Sequence, residues 1–188
     1  LFSQIIEFIG KNIMSSTLIL GGIKSGKSVL AEQLASNTKL NVIYIATASA
    51  DDDEMQRRID HHQQRRPSDW QTIETPIHLA AAIQQYCSAD QCVLVDCLTL
   101  WLTNLLMKDD DVLLNAEIDA LITSIKDLAG NLIMVSNETN MGITPLGELT
   151  RRYCDEVGVL HQRIAQQCNN VGLTVAGLPH ILKGHIDA

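Results

Sequence analysis

At 188 residues, 46 % of them hydrophobic and 19 % charged, the chain has the length and composition of one packed domain, which excludes a disordered chain and leaves little room for two domains. A net charge of −8 without a long lysine or arginine stripe weighs against a nucleic-acid platform. No apolar run is long enough to span a bilayer. Cys87, Cys92, Cys97, Cys154 and Cys168 show no C-x-x-C spacing, which points to buried thiols in a reducing cytoplasm rather than to zinc or disulfides.

In chain order, Phe2, Ile5, Ile6 and Ile9 form a weakly helical apolar pattern followed by Lys11. The stretch lacks the basic start and small-residue cleavage site of a signal peptide. Met14 reads as a native start, so residues 1–13 are taken as an extension without assigned function and 14–188 as the working domain.

A strand over 17–20 leads directly into Gly21-Gly22-Ile23-Lys24-Ser25-Gly26-Lys27-Ser28. Two glycines with four residues between them, then Lys and a hydroxyl residue, form the phosphate-binding loop pattern. Gly21 and Gly26 permit the turns that aim successive backbone N–H groups at one anion. The N-terminus of the following helix, expected over 27–36, adds to that field. Lys27 supplies an ammonium for the β- and γ-phosphate oxygens, and Ser28 Oγ is a hard ligand for Mg2+.

Further strands are expected over 42–46, 92–96, 132–136 and 173–176, and further helices over 52–65, 77–87, 112–128 and 146–168. Alternation of this kind gives a single-domain α/β fold, a mostly parallel sheet with helices on both faces. Ligands in such sheets sit at the carboxyl ends of the strands. The strand 92–96 ends there in a lone carboxylate, Asp96. In a phosphate-loop protein its natural partner is the Mg2+ shell at Ser28; the structural alternative is a cap on the segment 98–106.

The segment 51–67 carries acids in its first turn, Arg65 and Arg66 in its last, and Pro67 as its stop. At about 100° per residue, Met55, Ile59 and His62 share one face, whereas His61 points away. An inward histidine of this kind is a hydrogen-bonded core residue, a metal ligand or a nucleophile that attacks phosphorus. Spacing does not choose among them.

The ordered combination of Gly21 to Ser28, Tyr44-Ile45-Ala46-Thr47, Asp52-Asp53-Glu54-Met55, Arg58-Ile59, His61-His62, Arg66-Pro67, Trp70 and Glu74 continues downstream. There it meets Val95-Asp96-Cys97-Leu98-Thr99, Thr103-Asn104-Leu105-Leu106, Asn137-Glu138, Gly142-Ile143, Pro145, Gln162 and Gly177-Leu178-Pro179. Over residues 16–184 the chain resembles the bifunctional adenosylcobinamide kinase/adenosylcobinamide-phosphate guanylyltransferase family of cobalamin biosynthesis.

The resemblance implies a RecA-like P-loop NTPase fold, adenosylcobinamide, ATP and GTP as substrates, and a homotrimer. It implies that His62 takes up GMP. It places nucleotide contacts on the loop residues Gly21, Gly22, Ile23, Lys24, Ser25, Gly26, Lys27 and Ser28. It adds Ala46, Thr47, Ala48, Gln63, Gln64, Arg65, Arg66, Glu74 and Asp96. Lys27 and His62 would be the catalytic pair, with Ser28 and Asp96 on the metal. The chain departs from the family pattern at Lys24, where Arg is usual, at Asn140, where Gly is favoured, and at His161, where Asn is usual. The competing readings are a small-molecule kinase with a merely structural His62, and a RecA-like nucleotide-switched regulatory module.

Overall fold

The computed structural model describes residues 14–48 and 67–186. The expected helix over 52–65 and the extension 1–13 lie outside these residues. A parallel sheet forms because short β-branched and apolar runs can be buried on both faces at once. β1 (Ser16–Gly21), β2 (Asn41–Ala46), β4 (Gln91–Asp96) and β5 (Asn131–Asn137) are such runs. With β3 (Gln71–Glu74), β6 (Asn170–Val175) and β7 (Leu178–Lys183) they form one sheet in the order β3-β2-β4-β5-β1-β6-β7. All neighbours are parallel except β7, which returns antiparallel to β6. β5 therefore separates the strand that carries the phosphate loop from the strand that ends in Asp96.

Side-chain alternation along the strands assigns each face its own core. On one face α1 (Lys27–Asn37) packs Leu30, Ala31 and Ala35 over Ile19, Tyr44, Leu94 and Val135. On the other, α2 (Leu79–Tyr86), α3 (Leu98–Leu106), α4 (Asp111–Lys126) and α5 (Glu148–Gln167) cover Leu18, Ile45, Val95 and Met134. α3 is apolar almost all round because it is buried between the sheet and its neighbours. Trp101 on it is fully buried and donates from Nε1 to the Ile77 carbonyl at 2.6 Å. α5 buries Val157, Leu160, His161 and Ile164, the i, i+3, i+4, i+7 stripe of a helix lying on a core. Asp110 caps α4 by accepting from the Val112 and Leu113 N–H groups at 3.0 Å.

The expected α/β architecture is present, and the differences have local causes. β3 is an edge strand with three of its four residues exposed, so its sequence carries no buried run to betray it. β7 is exposed along its whole length for the same reason. The strand expected over 173–176 begins at Asn170 and stops at Val175. Ala176 and Gly177 leave it at φ 52° and 81°, the positive-φ pair of a tight hairpin turn. The helix expected over 77–87 starts at Leu79. The Ile77 carbonyl is held by Trp101.

Candidate active site

The phosphate loop leaves the buried β1 and is built by close approaches that only glycine allows. A Cβ on Gly21 would lie 2.4 Å from Ser25 Oγ and 2.6 Å from the Thr174 carbonyl oxygen. Gly26 sits at φ 100°, left-handed backbone, and its added Cβ would meet Gly177 Cα at 3.0 Å. The loop is braced from both sides. Gly177 N–H donates to the Ser25 carbonyl at 2.8 Å, and Glu138 N–H donates to the Gly21 carbonyl at 3.0 Å. The hairpin turn between β6 and β7, which no sequence pattern tied to the loop, is thus one of its walls.

Lys27 opens α1 and is buried, with Nζ donating to the Gly22 carbonyl at 3.1 Å. Loss of solvation pulls its ammonium below the ordinary lysine value, and the nearby Asp96 carboxylate opposes that shift. Asp96 lies on the α1 face of the sheet and accepts from the Tyr44 hydroxyl at 2.9 Å. The N-cap of α3 is Cys97, the residue after Asp96, and its side chain makes no capping hydrogen bond. Ser28 is half-buried beside Lys27, and its hydroxyl makes no hydrogen bond among the described residues. Two hard oxygen donors flanking a phosphate cradle suit Mg2+, which takes few protein ligands and completes its shell with phosphate and water.

Thr47 is fully buried and committed inside the protein. Its Oγ1 donates to the Cys97 carbonyl at 2.7 Å and accepts from Cys97 N–H at 2.9 Å. Its carbonyl accepts from Asn104 Nδ2 at 2.8 Å. Thr47 therefore fixes the ends of β2 and β4 to each other. Ala46 pairs with both Asp96 and Glu74, so these three residues end three adjacent strands. Ile23, Lys24 and Gly22 form the exposed rim of the loop. His62, Gln63, Gln64, Arg65 and Arg66 lie outside the described residues. Tyr44, Thr99 and Asn104 support the site through hydrogen bonds that spacing did not announce, although a lone Asn in an otherwise apolar helix was a usable sign.

Among the described residues the thiols are unpaired. Burial pushes Cys87, Cys97 and Cys168 up to about 11 and Cys92 to about 12, so none is a nucleophile near neutral pH.

Comparison with known proteins decides the family. Residues 17–182 match the model of the cobinamide kinase / cobinamide phosphate guanyltransferase family. This chain belongs to that family. It is 58 % identical to the bifunctional adenosylcobalamin biosynthesis protein CobP of Pseudomonas aeruginosa, over 89 % of this chain and 96 % of that protein. It is 38 % identical to the bifunctional adenosylcobalamin biosynthesis protein CobU of Escherichia coli, over 86 % of this chain and 96 % of that protein. A solved structure from Pyrococcus horikoshii OT3 superposes with a TM-score of 0.57 at 10 % identity, covering 96 % of this chain and 93 % of that one; this likeness speaks for the fold alone. The resemblance drawn from the sequence is therefore correct. The chain is an enzyme of cobalamin biosynthesis, a cobinamide kinase and cobinamide phosphate guanylyltransferase that uses nucleotide substrates. No described helix is long and apolar enough to cross a membrane.

Proposed function

We propose that the enzyme works in two steps at the one phosphate loop, the second through a guanylyl-histidine on His62. In the first step the hydroxyl oxygen of adenosylcobinamide's aminopropanol arm attacks the γ-phosphorus of ATP or GTP. The bond to the β–γ bridging oxygen breaks, the nucleoside diphosphate leaves, and the hydroxyl proton is released. In the second, a ring nitrogen of His62 attacks the α-phosphorus of GTP and pyrophosphate leaves. A phosphate oxygen of adenosylcobinamide phosphate then attacks that phosphorus, the P–N bond breaks, and adenosylcobinamide-GDP forms with the imidazole restored.

The observation that carries this reading is the braced loop with Lys27 buried against it and Asp96 on the same face of the sheet. Lys27 and the loop N–H groups stabilise negative charge on β- and γ-oxygens, which is where charge gathers both when the γ-phosphoryl departs and when pyrophosphate leaves. Ser28 and Asp96 would hold Mg2+, which neutralises phosphate charge when bound. Gly21, Gly22, Ile23, Lys24, Ser25, Gly26 and Ser28 cradle the phosphates. Ala46, Ala48 and Glu74, with Thr47 as their anchor, border the nucleoside, and Gln63, Gln64, Arg65 and Arg66 flank His62. Residues 14–188 act as one domain, and the enzyme works in the cytoplasm as a homotrimer.

The test is incubation with α-labelled GTP and Mg2+, followed by denaturation. Acid-labile label stays on the wild-type protein and on His61→Asn, and is absent from His62→Asn. Label retained by His62→Asn and lost from His61→Asn would reverse the assignment. No label in the wild type, with phosphorylation of adenosylcobinamide intact, would leave a simple kinase.

A further inference from the structure

β5 lies between the phosphate-loop strand and the strand that ends in Asp96, and its last residue is Asn137. Asn137 pairs with Gly21 on one side, and Val135 pairs with Asp96 on the other. Along β5, Leu132 and Met134 face the core under α3 and α5, whereas Ile133 and Val135 face α1. Alternation sends Ser136 to the first face and Asn137 to the second, the face that also carries Lys27 and Asp96. Asn137 stands directly beside Gly21 and two residues past the level of Asp96, so its side chain projects from the strand end on the face that carries both charged groups. It is half-buried, and its amide makes no hydrogen bond among the described residues.

Its main chain, by contrast, is gripped on every side. Asn137 N–H donates to Thr99 Oγ1 at 2.8 Å, and the next residue's N–H donates to the Gly21 carbonyl at 3.0 Å. Thr99, in the first turn of α3, lies 3.4 Å from Ser136 Oγ, and Ser136 Oγ lies 2.8 Å from His161 Nε2 on α5. Ser136 is 0 % exposed and His161 6 %, and Thr99 is half-buried. Glu138 Oε2 lies 3.7 Å from the other ring nitrogen of His161, and Oε1 accepts from Asn140 N–H at 2.8 Å. A polar chain of this kind beneath an otherwise apolar sheet is costly unless each member has its partner. Here it terminates on the backbone of Asn137, whose own side chain makes no hydrogen bond among the described residues.

We propose that Asn137 is a third phosphate-facing group, its side-chain amide donating to an oxygen of the transferring γ-phosphoryl between Lys27 and Asp96. Thr99, Ser136 and His161 are positioning residues that hold its backbone in register with the loop. The inference rests on the nucleotide site described above and not on His62, because γ-phosphoryl transfer does not use that residue. An amide donor aimed at charge that grows in the transition state acts on turnover more than on ground-state binding.

The experiment measures γ-phosphoryl transfer to adenosylcobinamide, kcat and KM separately, together with GTP affinity by fluorescent-nucleotide displacement and the melting temperature. Asn137→Ala is expected to lower kcat by about 10- to 100-fold, the scale of one hydrogen bond to a charged group. Nucleotide Kd and melting temperature should stay near wild type. His161→Ala should lower kcat in the same pattern, and His161→Gln, whose amide reaches the place of Nε2, should restore most of it. The proposal is overturned if Asn137→Ala keeps wild-type kcat, or loses nucleotide affinity as much as turnover. It is overturned equally if His161→Gln turns over no faster than His161→Ala. Loss of α-label from the wild-type protein would sink the His62 reading while leaving these γ-transfer results to stand or fall alone.

Discussion

Replacing Gly21 with alanine would place a methyl carbon 2.4 Å from Ser25 Oγ and 2.6 Å from the Thr174 carbonyl oxygen. The serine hydroxyl can rotate away. The carbonyl cannot, because Thr174 is buried within β6 and paired to Gly21 itself. Relief must come from shifting β1 against β6, which also disturbs the Ser25 to Gly177 hydrogen bond that closes the loop. Overpacking of this kind costs about 1–3 kcal/mol, which in a domain of this size lowers the melting temperature by about 2–12 °C. Gly22 is the internal control, since nothing stands within 4 Å of a Cβ added there. Thermal unfolding of both variants is the assay, with GTP affinity measured on the same samples. Gly22→Ala should melt close to wild type, whereas Gly21→Ala should melt lower and bind GTP at least about tenfold more weakly, one such tenfold being about 1.4 kcal/mol. A Gly21→Ala protein that melts with Gly22→Ala and holds GTP as wild type does would refute the steric account of the loop.

Thr47→Val removes two hydrogen bonds to Cys97 without changing shape. It should cost about 1–3 kcal/mol in urea unfolding, because the buried Cys97 N–H is left unpaired while the Cys97 carbonyl keeps only the Trp101 N–H, and should lower both transferase activities by loosening Asp96. Native protein treated with a thiol reagent near pH 8 should react at Cys154 before the buried Cys87, Cys92, Cys97 and Cys168; rapid labelling of all of them would contradict the burial. Those buried thiols stay protonated in the fold up to about 11 or 12, whereas the unfolded chain releases their protons near pH 9. Stability is therefore full below pH 9 and should fall as pH rises from there. Burial also holds His161 below its ordinary 6.5 despite the opposing Glu138 carboxylate. The unfolded imidazole then takes up its proton first as pH falls, so stability is full above about 6.5 and declines below it. His161→Gln should lack that part of the acid-side slope in unfolding titrations.

The phosphate loop was legible because its chemistry is local. Gly21, Gly26, Lys27 and Ser28 must lie at fixed intervals for one backbone turn to cradle an anion, and the interval is visible in the sequence. The buried strands were legible for a similar reason, since burial on both faces demands unbroken apolar runs. β3 and β7 were not, because an exposed edge leaves no hydrophobic pattern. Helix α3 stood out as a segment, but its role in the site came from Thr99 and Asn104 reaching across to Asn137 and Thr47.

The sequence by itself determined the loop, the α/β class with its buried strands, and the family, because each depends on residues close together in the chain or on their order along it. Only the tertiary structure decided which strand stands between Lys27 and Asp96, and that Gly177 walls the loop. It alone decided that Ser136 and His161 meet beneath Asn137. Those pairings join residues 25 to more than 150 positions apart, and such contacts are set by how the sheet orders its strands, which no local pattern of residues encodes.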